Sequence, residues 1–374
     1  MKKMRRARVL TGSALAGLLV LSGCSQASPT IPTDPKGSDL GTITISSGIS
    51  SETEIVANIY AQALERAGYT VEVTDTGDSR DDYLTAMESP RDSSGAEEST
   101  DSASASDETV VNDPTTVDIT PDYSGNLLLK LTNDGEISPS DIEKERQEET
   151  ESPTPEPTET LPGLTQSPTP SPTGSPLNIR GMNGNDITST LDRVLPTGLS
   201  LLDTASAENK DALVVTRVTA ARYDISTIND LAQYCGKLTF GGPESFSTRS
   251  YGLPGLAENY SCKPAKFIGE DSQQKLADNL ADDTVQVADI YTSSPDIVDN
   301  KFIVLEDTQN NFIAQNIVPV VRENELPSTA KDTINTVSAN LKTTDLVQLN
   351  RLTTGEHSIT TQEAAKFWLD HLTE

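Results

Sequence analysis

Histidine is nearly missing from this chain: two residues in 374, His357 and His371, both near the C-terminus. A reaction that needs a neutral-pH base in a central cleft has little to draw on. No Gly-x-Ser-x-Gly elbow, His-Glu-x-x-His pair or Gly-x-x-x-x-Gly-Lys-Ser/Thr loop occurs. Hydrolytic, zinc-dependent and nucleotide-hydrolysing chemistry therefore lack their usual residues, and a non-enzymatic chain with no cofactor and no metal is expected. Positive charge is also scarce. With 28 Lys and Arg against 57 Asp and Glu, the net charge is −29, so no basic face is available for nucleic acid or anionic lipid. Aromatics are 4% of residues with one tryptophan, so an aromatic site has to be assembled from tyrosine or phenylalanine. Long apolar runs are absent beyond Val9 to Leu21, which falls short of the roughly 20 residues of a comfortable membrane span.

That one apolar run carries the most information. It follows a basic start (Lys2, Lys3, Arg5, Arg6, Arg8) and ends in Leu21-Ser22-Gly23-Cys24, the order of a lipoprotein export signal. Residues 1–23 are read as the signal, Cys24 as the lipidated residue, and 24–39 as a flexible spacer. The body is then extracytoplasmic, anchored by lipid to the outer face of the cell membrane. In that compartment the two remaining cysteines, Cys235 and Cys262, are expected to pair. A metal pair or reactive thiol is the alternative, and it lacks a neighbouring histidine.

Two stretches read as unfolded insertions: about 89–116, rich in Ser, Asp, Glu, Ala and Thr, and about 133–176, acidic and then proline-rich. Neither can bury enough apolar surface to offset ordering entropy. The second is either a solvated loop or an extended, O-glycosylated or wall-spanning strand. The Asp-rich patch Asp75 to Asp82 lacks the ligand spacing of a calcium loop and reads as a solvated turn.

Elsewhere the pattern alternates. Thr42 to Ser46 reads as a strand, and Ser51-Glu52-Thr53-Glu54 opens a helix with Ile55, Ile59 and Ala63 on one face. Strands follow at Thr70–Val73 and Val117–Ile119, with a helix at Arg80–Glu88 between them. Further strands are expected at Ala212–Thr216, Leu238–Gly241, Ala265–Ile268, Val285–Ile290 and Ile317–Val321. Helices fall at Val218–Tyr223, Ser272–Leu280, Ser294–Asn300, Ser328–Ala339, Thr343–Leu352 and Thr360–His371, the last packed onto the body through Trp368. The expectation is a mostly parallel α/β architecture in two units.

Several blocks, in order, resemble the glycine betaine/choline substrate-binding proteins of osmoprotectant ABC importers. They are Asn58 to Glu65, Ser79-Arg80 with Tyr83-Leu84, Asp122-Tyr123-Ser124-Gly125-Asn126, Lys210 to Thr216, and Leu238 to Pro243. Arg249 to Leu256, Ala288-Asp289-Ile290-Tyr291-Thr292 and Asn316 to Val321 complete the series. The resemblance spans about 41 to 374 apart from the insertions. It implies a type II periplasmic-binding-protein-like α/β fold, with two α/β lobes joined by a two-crossing hinge. Lobe one is then 40–209 plus 315–374, and lobe two 210–314. The implied protein is a monomer working with permease and ATPase subunits on separate chains, and its ligand is a small quaternary amine.

By that resemblance Tyr123 and Tyr291 occupy two positions of a tyrosine cage, which attracts a trimethylammonium group by cation–π contact. Arg249 stands where relatives grip a ligand carboxylate, and Asn126 where a supporting hydroxyl lies. The other two cage tyrosines align with Asp211 and Gln315, and Gly48 replaces a lysine. Asp211 can balance a cationic head group, and losing the lysine suits a ligand with less negative charge, such as choline or a polar amine. Read without the resemblance, Tyr123 and Tyr291 cap sheet ends, Arg249 partners Glu244 or Asp289, and Asp211 is solvated or pairs with the neighbours of Lys210. A receptor of the same fold for another polar amine, or for sensing, is the alternative function.

Overall fold

The computed structural model describes residues 30–33, 40–89, 116–151 and 177–372. The export signal, Cys24, nearly all of the first insertion and the proline-rich 152–176 lie outside the described residues.

The strands form two five-stranded sheets. The first contains β1 (Thr42–Ser46), β2 (Thr70–Thr74), β3 (Ile119–Tyr123), β4 (Leu199–Leu201) and β10 (Ile317–Arg322), in the order β2-β1-β3-β10-β4. The second contains β5 (Leu213–Val215), β6 (Thr239–Gly242), β7 (Lys266–Gly269), β8 (Val287–Asp289) and β9 (Ile303–Val304), in the order β7-β6-β8-β5-β9. The expected mostly parallel sheet is corrected to a mixed one. β1 runs parallel to β2 and β3, and β6 to β7 and β8, but β10 is antiparallel to both its neighbours, as is β5. The reason is the connection. β5 and β10 are the strands by which the chain enters the second lobe and re-enters the first, so neither arrives through a helix crossover of its own sheet. Beside them the two crossing segments pair, Glu208 bridging Asn316 in antiparallel fashion.

The helix Ser51–Arg66 is fully capped, one residue earlier than the sequence suggested. Ser50 is the N-cap: its Oγ accepts from the Thr53 N–H at 3.2 Å, and Thr53 Oγ1 accepts from the Ser50 N–H at 3.0 Å. Its apolar side is buried against the first sheet and the helix Thr361–His371, where Trp368 joins the same core as Ile59 and Leu64. Each such fully buried aliphatic side chain contributes about 1.5–3 kcal/mol relative to exposure.

The acidic segment after Asn133 is partly folded, which revises the expectation for 133–176. Pro139–Glu151 is helical, begun by a Ser138 hydroxyl that donates to Asp141 at 2.7 Å. Ile142 packs on the core that contains Ile187 and Leu191. Arg193 and Glu143 pair at 2.8 Å, and the Arg146 guanidinium caps the carbonyls of Arg193 and Leu195 at the end of the helix Gly184–Val194. One apolar anchor and these tertiary contacts hold a sequence that has little helix-forming amphipathicity of its own. Helices at Ser124–Leu131, Gly184–Val194 and Leu253–Tyr260 are further additions to the sequence reading.

Cys235 and Cys262 form a disulfide with Cα atoms 5.4 Å apart. It ties the turn before β6 to the end of the helix Leu253–Tyr260, inside the second lobe's core. Among the described residues no helix is long and apolar enough to cross a membrane.

Candidate functional site

Both sheets deliver an aspartate to the carboxyl end of a central strand. In the first lobe, Asp122 and Tyr123 end β3, and the chain turns directly into the helix Ser124–Leu131. That helix approaches the returning crossing segment so closely that a Cβ on Gly125 would lie 2.4 Å from the Ala314 carbonyl oxygen. Asp122 is fully buried and fully satisfied. Arg80 donates to both its oxygens, at 2.8 and 2.7 Å, while the Tyr83 hydroxyl (2.5 Å) and the Tyr123 N–H (2.7 Å) complete the set. Burial, reinforced by the Asp122 charge, pushes the Tyr83 hydroxyl well above its ordinary range.

Tyr123 is only 8% exposed. Its hydroxyl donates to Glu52 Oε1, and the other Glu52 oxygen accepts from Asn350 Nδ2 at 2.5 Å. The same Asn350 nitrogen reaches the Ser293 carbonyl and hydroxyl, each at 3.2 Å, so this network passes from one lobe to the other. Burial and the adjoining Glu52 charge hold the Tyr123 phenol protonated far above its usual titration. Asn126 and Gln315 bond each other: Gln315 Nε2 donates to Asn126 Oδ1 at 2.8 Å, and Gln315 Oε1 accepts from the Asn126 N–H at 3.0 Å. Gly48, where relatives carry a lysine by resemblance, has φ +76°, and a Cβ there would sit 2.5 Å from Thr53 Oγ1. The position rejects any side chain, so the departure follows from the turn into the helix Ser51–Arg66.

In the second lobe, Asp289 ends β8 and Asp211 lies just before β5. The two strands are antiparallel with Leu213 opposite Asp289, a register that places Asp211 opposite Tyr291 and diagonal to Asp289. Asp289 is 0% exposed, and among the described residues no side-chain donor is directed at either of its oxygens; the Ala212 N–H and the Asp211 carboxyl are the polar groups beside them. Its carboxyl faces that of Asp211, with the Arg249 charge nearby. Burial raises both acids, Asp289 the more because the Asp211 charge adds to it. Arg249 donates to the Tyr251 hydroxyl, and its guanidinium carbon lies 5.7 Å from that ring's centroid. Burial and the Asp211 charge push the Tyr251 phenol up to about 12. Tyr291 is 37% exposed, its N–H bonded to Gln273 Oε1 at 3.0 Å. Burial, then the two acids, raises its hydroxyl as well.

A cavity of about 1030 Å³ opens between the lobes, lined by Arg80, Asn126 and Lys130 on one side and by Arg249, Ser250 and Tyr251 on the other. Of the ligand residues expected from the sequence, Asn126 and Arg249 line it. Tyr123, Gln315, Asp211 and Tyr291 do not. Tyr123 and Gln315 are inside the first lobe's hydrogen-bond network, while Asp211 and Tyr291 adjoin the cavity through Arg249 and Tyr251. Asp289 and Tyr251 are the site residues that sequence reasoning passed over. A signal for Asp289 existed: it interrupts the apolar Val285 to Ile290 stretch two residues before Tyr291, hence on the same strand face. Among the described residues no group of three or more His, Cys, Asp or Glu could hold a metal ion.

No curated protein sequence matches the chain. Its architecture is similar to that of a crystal structure of a glycine betaine/carnitine/choline ABC transporter, with TM-score 0.63 at 15% identity, covering 88% of this chain and 97% of that one. YehZ from Escherichia coli in its apo form gives 0.57 at 17% identity, over 88% and 98%. Identities this low speak to the two-lobed type II binding-protein fold. The family described as the substrate binding domain of the ABC-type glycine betaine transport system matches residues 41–371, and the chain belongs to that family.

Proposed function

We propose that this chain is the solute-capturing lipoprotein of an ABC importer, holding a small quaternary-amine osmoprotectant such as choline or glycine betaine between its lobes and handing it to a permease. The observation that carries the reading is the cavity between the two sheets, with Asn126 on one wall and Arg249 and Tyr251 on the other, bordered by Asp211 and Tyr291. Such a cleft closes on a ligand by hinge motion at the paired crossing segments. Anchoring through Cys24, a monomeric body, and permease and ATPase on other chains complete the proposal.

The division of labour follows from charge. Tyr291 offers a partly exposed ring face to an ammonium group, and Asp211 offers it a counter-charge. Arg249 offers a planar fork to a carboxylate or to a hydroxyl dipole. Tyr123 and Gln315 act behind this surface: Gln315 orients Asn126, and Tyr123 joins Glu52 to the first sheet. A thermal-shift screen of betaines, choline, carnitine, ectoine and polyamines identifies the ligand. Calorimetry on Tyr291→Ala and Arg249→Ala then tests the site, and unchanged affinity in both rejects these assignments. Palmitate labelling lost in Cys24→Ala tests the anchor.

A second reading, a receptor of this fold for another polar amine or for sensing, is favoured by one observation: acids stand where an aromatic cage would be expected. Uptake of labelled choline or betaine that survives deletion of the gene supports this second reading over import.

A further inference from the structure

Seven buried side-chain atoms have no hydrogen-bond partner among the described residues: Tyr60 Oη, Thr120 Oγ1, Ser338 Oγ, Asn209 Oδ1, Gln273 Nε2 and both oxygens of Asp289. The last four lie behind the cavity wall, beside Tyr123, Asp211 and Tyr291. Asn209 stands beside the Tyr123 hydroxyl, and Gln273 is held against the Tyr291 backbone by its other amide atom. A buried carboxylate with no side-chain donor is costly to keep charged. Asp122, buried to the same extent in the other lobe, has four donors.

Among the described residues no bidentate arginine closes on this pair; the backbone N–H groups of Asp211 and Ala212 and the charge of Arg249 offset its burial only in part. The groups facing it are Tyr291, on the chain just beyond Asp289, and Arg249 and Tyr251 from the segment after β6. Arg249 directs its Nη1 hydrogen bond to the Tyr251 hydroxyl, and both tyrosines are held as neutral phenols. Two carboxyls this close in a buried place cannot both ionise, so they titrate as a unit. On the solute-receptor reading above, we propose that Asp211 and Asp289 are one cation-recognising pair. It shares a single proton while the cleft is empty and releases it to solvent when a monocationic ammonium ligand bearing an O–H or N–H donor takes its place.

The ligand class follows from what the pair lacks. Its oxygens need donors, which a permethylated ammonium cannot supply but a hydroxyl or an N–H can. A ligand carboxylate brought near the pair meets like charge. Asp211 and Asp289 therefore discriminate an amino alcohol such as choline from a betaine, and they make capture pH-dependent. Binding that expels one proton strengthens as pH rises, by up to about tenfold per unit, until the empty pair is itself deprotonated.

Calorimetric titration of the purified full chain with choline, at neutral pH in two buffers of different ionisation enthalpy, counts the proton. Release of up to one proton is expected, with affinity rising from acid to neutral pH. Asp289→Asn and Asp211→Asn are each expected to remove the buffer dependence and weaken choline about tenfold or more. Melting curves verify folding, and should Asp289→Asn not fold, the half-buried Asp211→Asn carries the test. Choline bound without proton release, and equally by both variants, overturns the pair and leaves the receptor reading standing. Glycine betaine bound more tightly than choline also overturns it. If none of choline, glycine betaine, tetramethylammonium and putrescine binds the wild type, both readings fall.

Discussion

The two lobes bury an aspartate at equivalent ends of their central strands, and treat it in opposite ways. Asp122 meets a bidentate arginine, a tyrosine hydroxyl and a backbone N–H. Asp289 meets another acid. Equal burial with unequal pairing separates a carboxylate that organises a fold from one left open for something else. An ion pair with every acceptor satisfied becomes costly to break, whereas an unpaired acid is a strain on the native state that a ligand can relieve.

The largest test of that contrast is on the satisfied side. Arg80→Ala leaves Asp122 charged and buried beside a phenol and one amide. A loss of about 3–5 kcal/mol is expected in urea denaturation. Should the loss be under about 1 kcal/mol, Asp122 is not the anchor that its hydrogen bonds indicate.

Within the second lobe the comparable support is covalent. Replacing Cys235 and Cys262 by serine is expected to lower stability by about 3 kcal/mol, since the bridge closes a moderate loop in the unfolded chain. The same denaturation measurement checks it, with reductant applied to the wild type as the matching control. Tyr123→Phe comes next. It removes the donor to Glu52 Oε1 and leaves that oxygen buried, at a cost of about 1–3 kcal/mol. A neutral result would mean that Tyr123 contributes by its ring alone.

Asp289→Asn runs in the other direction. The folded Asp289 holds its proton to higher pH than the unfolded residue does, so between those two points the native state binds more protons. Its contribution to stability is therefore fully present below the unfolded-state pKa and is lost as pH rises through the folded one. Asparagine cannot ionise. The variant is expected to melt higher than wild type at neutral pH, by less than Arg80→Ala costs, and to show a flatter decline between acid and neutral pH. A lower melting temperature at neutral pH breaks the comparison between the lobes. The smallest effect belongs to Arg351→Ala. Its pair with Asp299 joins the two lobes at 2.5 Å, but both side chains are about half exposed, and roughly 0.2–1 kcal/mol is the expected loss.

Legibility in the sequence divided along similar lines. The helix Ser51–Arg66 was visible because its capping residues and its 3.6-residue apolar period are local, and only the cap shifted by one position. The helix Pro139–Glu151 was not visible, since its stability comes from Ile142 and arginine contacts to a helix some fifty residues away. Strand direction was likewise hidden: Ile317 to Arg322 reads as any buried strand, and its antiparallel pairing is set by where the chain returns from the second lobe. At the site, resemblance to relatives pointed to Arg249 and Asn126, which line the cleft, and to Asp211 and Tyr291, which adjoin it. It also pointed to Tyr123 and Gln315, whose polar groups are occupied by Glu52 and Asn126. Resemblance registers the position of a residue along the chain. Whether its hydroxyl or amide is free depends on partners that are distant in sequence.

The chain by itself settled what periodicity, charge and composition can settle: an acidic α/β protein without nucleotide, nucleic-acid or hydrolase motifs, ordered like a betaine-binding protein from its first strand to its last helix. Folding in three dimensions decided which acids are neutralised. Asp122 and Asp289 stand in similar stretches of sequence, and only the arrival of Arg80 at one and of Asp211 at the other makes them different. Coulomb interaction and desolvation depend on distance through space, which the linear order of residues does not encode.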